Sequence, residues 1–77
     1  MIIKTYAILK DYFPPQADFN SKAKTIRDLK EELIAQNPLA KAILDISRFA
    51  VDDIFVELDN ELNGTELVSI IPPSSGG

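Results

Sequence analysis

Apolar and polar positions divide the chain into segments of two different periods. Residues 2–9, "IIKTYAIL", are rich in β-branched and aromatic types, which predicts a strand. Period two puts Ile3, Thr5, Ala7 and Leu9 on one face and Ile2, Lys4, Tyr6 and Ile8 on the other. "FPPQ", 13–16, ends it, because proline brings no donor to a ladder. A short second strand over 17–22, "ADFNSK", would complete a hairpin, with Phe19 its one strong β former. From Thr25 the period becomes helical: Ile26, Leu29, Leu33 and Ile34 fall at i, i+3, i+7 and i+8. Thr25 is placed as N-cap, with Asp28 three residues on in the role that Glu takes in a capping box. Arg27 and Glu31 stand at i, i+4 spacing on the outer face. Asn37-Pro38 stops the helix, since a residue before proline avoids helical backbone angles. "LAKAILDI", 39–46, reads as one more short helical segment.

Beyond it, "RFAV", 48–51, and "IFVEL", 54–58, are two short apolar stretches around Asp52-Asp53 and predict two strands joined by a tight turn. Asn63-Gly64 is a second turn signal, and "ELVSII", 66–71, a last strand. The order β-β-α-β-β-β makes an α+β domain in which a helix covers one face of a mixed sheet. Neither repeats nor internal linkers interrupt it, so residues 1–71 form one domain and 72–77 a flexible tail.

Composition narrows the chemistry. Cysteine and histidine are both absent, which removes disulfides, thiolate nucleophiles, imidazole bases and most zinc sites. The net charge of −4 is unevenly spread: residues 1–44 hold seven basic and five acidic side chains, residues 45–77 one basic and seven acidic. Such a balance argues against nucleic acid as a partner, because phosphate contacts need a basic surface. It points to a basic protein surface meeting the second half, or to acids that only keep a small domain soluble. Asp52, Asp53, Glu57, Asp59, Glu61 and Glu66 lack a Ca²⁺-loop spacing and read as a solvated edge rather than a metal site. No apolar run approaches the ~20 residues of a membrane span. The start, "MIIKTYAILK", lacks the features of a secretion signal, and a cytoplasmic protein is expected.

The chain ends "IIPPSSGG", 70–77. By itself this is either a frayed end or an extended arm whose carboxylate does the work. The ββαβ order with strands following, closed by Gly-Gly, resembles the β-grasp fold of ubiquitin-like sulfur carriers. Within that group the ending is similar to that of the molybdopterin synthase small-subunit family: two apolar residues, Pro-Pro, two small residues, Gly-Gly. "YAILKDYF", 6–13, is similar to that family's first strand and turn, with Lys10-Asp11 in place of the common Arg-Glu. "FAVDDIFVELDNELNGTELVSIIPP", 49–73, is similar to its run of strand, turn, strand, turn and last strand. Asp52 departs from the family's usual Asn, and Gly64 lies one residue further from Pro-Pro than the family's turn glycine.

The resemblance implies a carrier subunit of a sulfurtransferase complex with no stand-alone activity. The Gly77 carboxylate, behind Gly76, would be adenylated by a ubiquitin-activating-type partner that uses ATP, then converted to a thiocarboxylate that delivers sulfur to a pterin precursor. The small subunit would bind no cofactor permanently. The tail residues suit that role, since glycine permits close backbone approach and two prolines favour an extended exit. Six tail residues at about 3.3 Å each reach roughly 20 Å. Tyr6, Ile8 and Phe55, with Ile71 at the tail root, are expected on the sheet face away from the helix. They are either core or scattered apolars, or a docking patch. The family uses such a patch, so the resemblance implies partner contacts at Tyr6, Ile8, Lys10, Phe55, Ile71, Pro72 and Pro73; Lys10 alone would otherwise be read as solvated. The implied partners are the activating enzyme and a synthase large subunit, the latter in a heterotetramer, with neither nucleic acid nor membrane involved. Alternatives are a carrier for thiamin or tRNA thiolation, a ubiquitin-like modifier, or an interaction module with an inert tail.

Overall fold

A computed structural model describes residues 1–73 of the chain. Five strands form one mixed sheet: β1 (Ile2–Thr5), β2 (Gln16–Asp18), β3 (Arg48–Val51), β4 (Ile54–Val56) and β5 (Leu67–Ile71), in the order β2-β1-β5-β3-β4. The central pair, β1 and β5, is parallel, and the other pairings are antiparallel. Two helices, α1 (Ile26–Gln36) and α2 (Lys41–Ile46), supply the crossover between the hairpin β1-β2 and the rest. The domain is therefore the expected α+β β-grasp sheet with its main helix on one face.

The core follows from the alternation. Ile3 on β1, Phe49 on β3, and Val68 and Ile70 on β5 are buried together with Ile26, Leu29 and Leu33 of α1 and Leu44 of α2. Each such side chain, fully buried, contributes about 1.5–3 kcal/mol. The start of α1 is sealed. The Thr25 hydroxyl accepts the Asp28 N–H at 3.2 Å, and the Ile26 and Arg27 N–H groups donate to the carbonyls of Asn60 and Leu58. The Asp28 carboxylate accepts the N–H of Lys24, one residue before the cap, so the capping box is shifted by one position. The helix ends at Gln36, with Asn37 as its C-cap, as the Asn-Pro step requires. Between the helices, Asp45 binds Lys41 at 2.7 Å and Lys30 at 2.9 Å, and these two ammonium groups hold its carboxyl below the usual range. Arg27 and Glu31 do not form the ion pair that their spacing allows; the ion pairs of the described residues lie elsewhere.

Several boundaries differ from those read in the sequence. The first strand stops at Thr5, not at residue 9: Ala7 takes φ +55° and opens a 3-10 segment, Ala7–Asp11. On that side the neighbouring chain is Pro14-Pro15. Their carbonyls accept from the Thr5 hydroxyl and N–H, but neither has an N–H to return, so the ladder cannot continue. Leu9 still reaches the core, from the 3-10 segment instead of the strand, while Ala7 is exposed. The second strand lies at Gln16–Asp18, earlier than 17–22. β4 ends at Val56 because the chain turns to offer the Leu58 carbonyl to α1. The last strand begins at Leu67, one residue after the expected start. The segment 39–46 is helical as expected, with 3-10 geometry over Pro38–Ala40 before α2.

The β3-β4 turn does form at Asp52-Asp53. Both residues have positive φ, +49° and +71°, the combination of a type I′ hairpin turn. Asp52 replaces the favoured Asn without loss of function as a turn residue. Its Oδ1 accepts the Leu67 N–H at 3.1 Å, and its own N–H donates to the Leu67 carbonyl at 2.8 Å, tying the turn to β5.

Candidate functional site

Side chains that point away from the helices form the other face of the sheet. Residues paired across strands share a face. Lys4 pairs with Gln16 on one side and Ser69 on the other, Ser69 with Ala50, and Ala50 with Phe55. A row thus crosses all five strands. Its middle is small and buried: Ser69 and Ala50 are each 4% exposed, although no helix packs on this side and Ala50 is outside the core cluster.

The next row lies at the root of the tail. Arg48 pairs with Ile71 on β5. Tyr6 is still extended (φ −129°, ψ 156°) and follows Thr5, which pairs with Ile70, so Tyr6 flanks Ile71 from the other side. The Arg48 guanidinium carbon sits 3.7 Å from the centre of the Phe55 ring, and the Lys4 ammonium 5.9 Å from that of Tyr6. Both distances are within cation–π range. Tyr6 is 39% exposed and Phe55 49%, large values for aromatic side chains on a sheet.

Of the residues expected at a docking patch, Tyr6, Phe55 and Ile71 are brought onto this open face. Ile8 and Lys10 are exposed but stand on the 3-10 segment beyond β1. Pro72 is buried and Pro73 exposed, so the described chain leaves the body of the domain at Pro73. Gly76 and Gly77 lie outside the described residues. Two face residues escaped the sequence reading as site residues, Lys4 and Arg48. The period-two alternation with Tyr6 and with Ala50 was the signal that could have found them.

The face offers apolar surface, two cations and the root of an arm. Its carboxylate, Asp18, stands at the end away from Arg48. The clefts are small. One beside the open face, of about 240 Å³, runs past Ser47, Arg48, Phe55 and Glu57, and one of about 160 Å³ lies on the helix side, between Phe13, Phe19 and Leu33. Both fall below the ~300 Å³ at which small-molecule pockets begin. Among the described residues no three Asp or Glu side chains gather as a metal site would need, and no helix is long and apolar enough to cross a membrane. The acids expected to form a solvated edge are placed apart: Asp52 in the hairpin turn, and Glu66 folded onto its own loop, accepting the N–H groups of Asn63 at 2.7 Å and Gly64 at 2.9 Å.

The fold is that of a β-grasp domain whose central strand, β5, carries the chain out at Pro73 beside the open face. Residues 4–77 match the ThiS family, and the chain belongs to it; this is a family of ubiquitin-like sulfur carriers. Solved structures share the fold over nearly the whole chain. SAMP1 from Haloferax volcanii superposes with a TM-score of 0.81 at 16% identity, covering 99% of this chain and 97% of its own. A putative molybdopterin converting factor subunit 1 from Pyrococcus furiosus gives 0.74 at 23% identity, covering 95% of each chain. A complex of subunits 1 and 2 of the molybdopterin-converting factor from Helicobacter pylori contains a chain giving 0.68 at 21% identity, with 99% and 96% covered. Among curated proteins none matches.

Proposed function

We propose that this protein is the sulfur-carrying small subunit of molybdopterin synthase and works in the cytoplasm. The observation that carries the reading is the placement of the arm. β5 lies at the centre of the sheet, between β1 and β3, and leads straight into Pro72-Pro73 at the end of an exposed apolar face. A partner that docks on the face receives the arm in a fixed direction. The likeness in fold to two converting-factor small subunits supports the choice of pathway, and one of them stands in a complex with its subunit 2.

The chemistry is that of the terminal carboxylate. A carboxylate is a poor electrophile. Attack by its oxygen on the α-phosphorus of ATP, held by the activating partner, releases pyrophosphate and leaves an acyl adenylate. A sulfur nucleophile then displaces AMP and forms the thiocarboxylate on Gly77. Inside the large subunit the thiocarboxylate sulfur displaces an oxygen leaving group from a carbon of the pterin precursor, so that a C–S bond forms as the C–O bond breaks; water then cleaves the resulting thioester, leaving the thiol on the pterin and the carboxylate on Gly77. This chain supplies docking and reach, and catalysis belongs to its partners. Tyr6, Phe55 and Ile71 are the docking residues on the sheet, with Ile8 and Lys10 beside them.

The ThiS family match favours a second reading, a carrier for the thiazole of thiamin, which uses the same activated end. Co-expression with the activating enzyme tests the carrier chemistry. The intact mass should rise by the difference between sulfur and oxygen, and an unchanged mass means an inert tail. Pterin product formation with purified large subunit then separates the two pathways. Removing Gly77, or adding one residue after it, should abolish product without unfolding the domain. The reacting atom would move by about 3.3 Å, where a misplacement of ~1 Å already costs about 100-fold. Normal product from the truncated chain overturns the assignment of Gly77.

A further inference from the structure

Charge is distributed over the fold differently from its distribution along the chain. The second half of the sequence carries six net negative charges, yet its single cation, Arg48, stands on the open face at the root of the arm. Lys4 stands two strands away, one row further from the arm. Strand spacing puts their backbones roughly 12 Å apart, with Ser69 and Ile71 of β5 between them.

Several carboxylates are engaged or placed elsewhere. Asp52 and Asp53 occupy the hairpin at the far end of the sheet, where Asp52 meets Leu67, the first residue of β5. Glu66 is turned onto the loop before β5. Asp45 is held between Lys30 and Lys41, and Asp18, on the open face at the end away from the arm, lies 3.6 Å from the N-terminal ammonium. Glu57 lines the same cleft as Arg48 but does not pair with it. Among the described residues, therefore, Arg48 and Lys4 make no ion pair. Each instead lies over an aromatic ring of the docking face, and Arg48 is itself exposed. A stacked guanidinium keeps its N–H donors free in one plane, preorganised for a carboxylate.

We infer that the partner docking on the open face is an acidic protein surface: an apolar patch that meets Tyr6, Ile71 and Phe55, with carboxylate side chains opposite Arg48 and Lys4. The occupant is the large subunit that receives the arm. This rests on the docking reading given above and adds the sign of the partner's charge, which is opposite to the sign that the sequence balance suggests. The two cations act as rim charges that steer the encounter and set which way round the partner sits.

Association kinetics with purified large subunit from the same organism test it, using the full chain over a range of salt concentrations. Arg48→Glu and Lys4→Glu should each slow association about tenfold at low salt and flatten its salt dependence, because rim charges act chiefly on the association rate. Arg48→Gln and Lys4→Gln should slow it less; they stand in for any reversal that fails to keep the wild-type melting temperature. Phe55→Asp is the control for the docking face. If Phe55→Asp weakens binding while the charge reversals associate at the wild-type rate or faster, the face docks but the acidic partner is wrong. If Phe55→Asp also binds normally, the docking reading itself falls and takes this inference with it.

Discussion

On β5, Val68 and Ile70 point towards the helices and are completely buried, while Leu67, Ser69 and Ile71 point the other way. The same division runs through β3, where Phe49 enters the core and Arg48 and Ala50 belong to the open face. One face is filled by leucine and isoleucine from α1 and α2. The other has two small buried residues at its centre and half-exposed aromatic rings at its sides. Period two is common to both faces, so the strands alone do not distinguish them. The difference is what packs on them. Helix packing turns one face into the source of stability. The other face keeps apolar area in contact with water, which adds little to folding.

The sharpest test of this contrast is on the covered side. Leu29→Ala removes a fully buried side chain between α1 and the sheet and should lower stability by about 2–5 kcal/mol. Urea denaturation followed by circular dichroism reads this directly. A loss within about 0.5 kcal/mol, the range of ordinary surface changes, would show that α1 is not the lid of the core.

The matching test on the open side should give the reverse pattern. Tyr6→Asp should leave the urea midpoint nearly unchanged and weaken binding to the large subunit by on the order of 2 kcal/mol, as for a buried aromatic at an interface centre. Calorimetric titration beside the denaturation curve separates the two effects. If Tyr6→Asp unfolds the domain, Tyr6 is a core residue and the faces are not functionally distinct.

The loop before β5 gives the smallest expected effect, outside both faces. Partial burial pushes the Glu66 carboxyl up, but the N–H groups of Asn63, Glu66 itself, Gly64 and Thr65 outweigh it and hold the group below its ordinary value of 4.5. Its contribution to stability is therefore present above that value and is lost as pH falls through the lower folded-state value. Glu66→Gln should cost on the order of 1 kcal/mol at neutral pH. The gap between variant and wild type should close on acidification below about 4.5. A gap that stays constant with pH would show that the carboxylate charge plays no part in holding the loop.

Signals that act over a few residues were legible in the chain. Thr25 caps α1 because its hydroxyl and the Asp28 N–H are three residues apart, and Asn37-Pro38 ends the helix because of a steric conflict between neighbours. Asp52-Asp53 turns because Asp tolerates positive φ, and Gly64, at φ +98°, does what only glycine does without strain. The family resemblance at 49–73 was legible for the same reason, since it is carried by contiguous residues. Features that need a partner strand were not. "IIKTYAIL" keeps its alternation to Leu9, yet the strand ends at Thr5, opposite Pro14-Pro15, which have no donor to return. Tertiary structure alone made the sheet's centre from β1 and β5, residues some 65 positions apart. That parallel pairing sets Lys4 beside Ser69, and β3 on the other side sets Arg48 beside Ile71. Charge counted along the chain sums over all neighbours in sequence, whereas a sheet face has only its neighbours in space; the first makes the second half acidic, and the second puts two cations, unpaired among the described residues, on the open face.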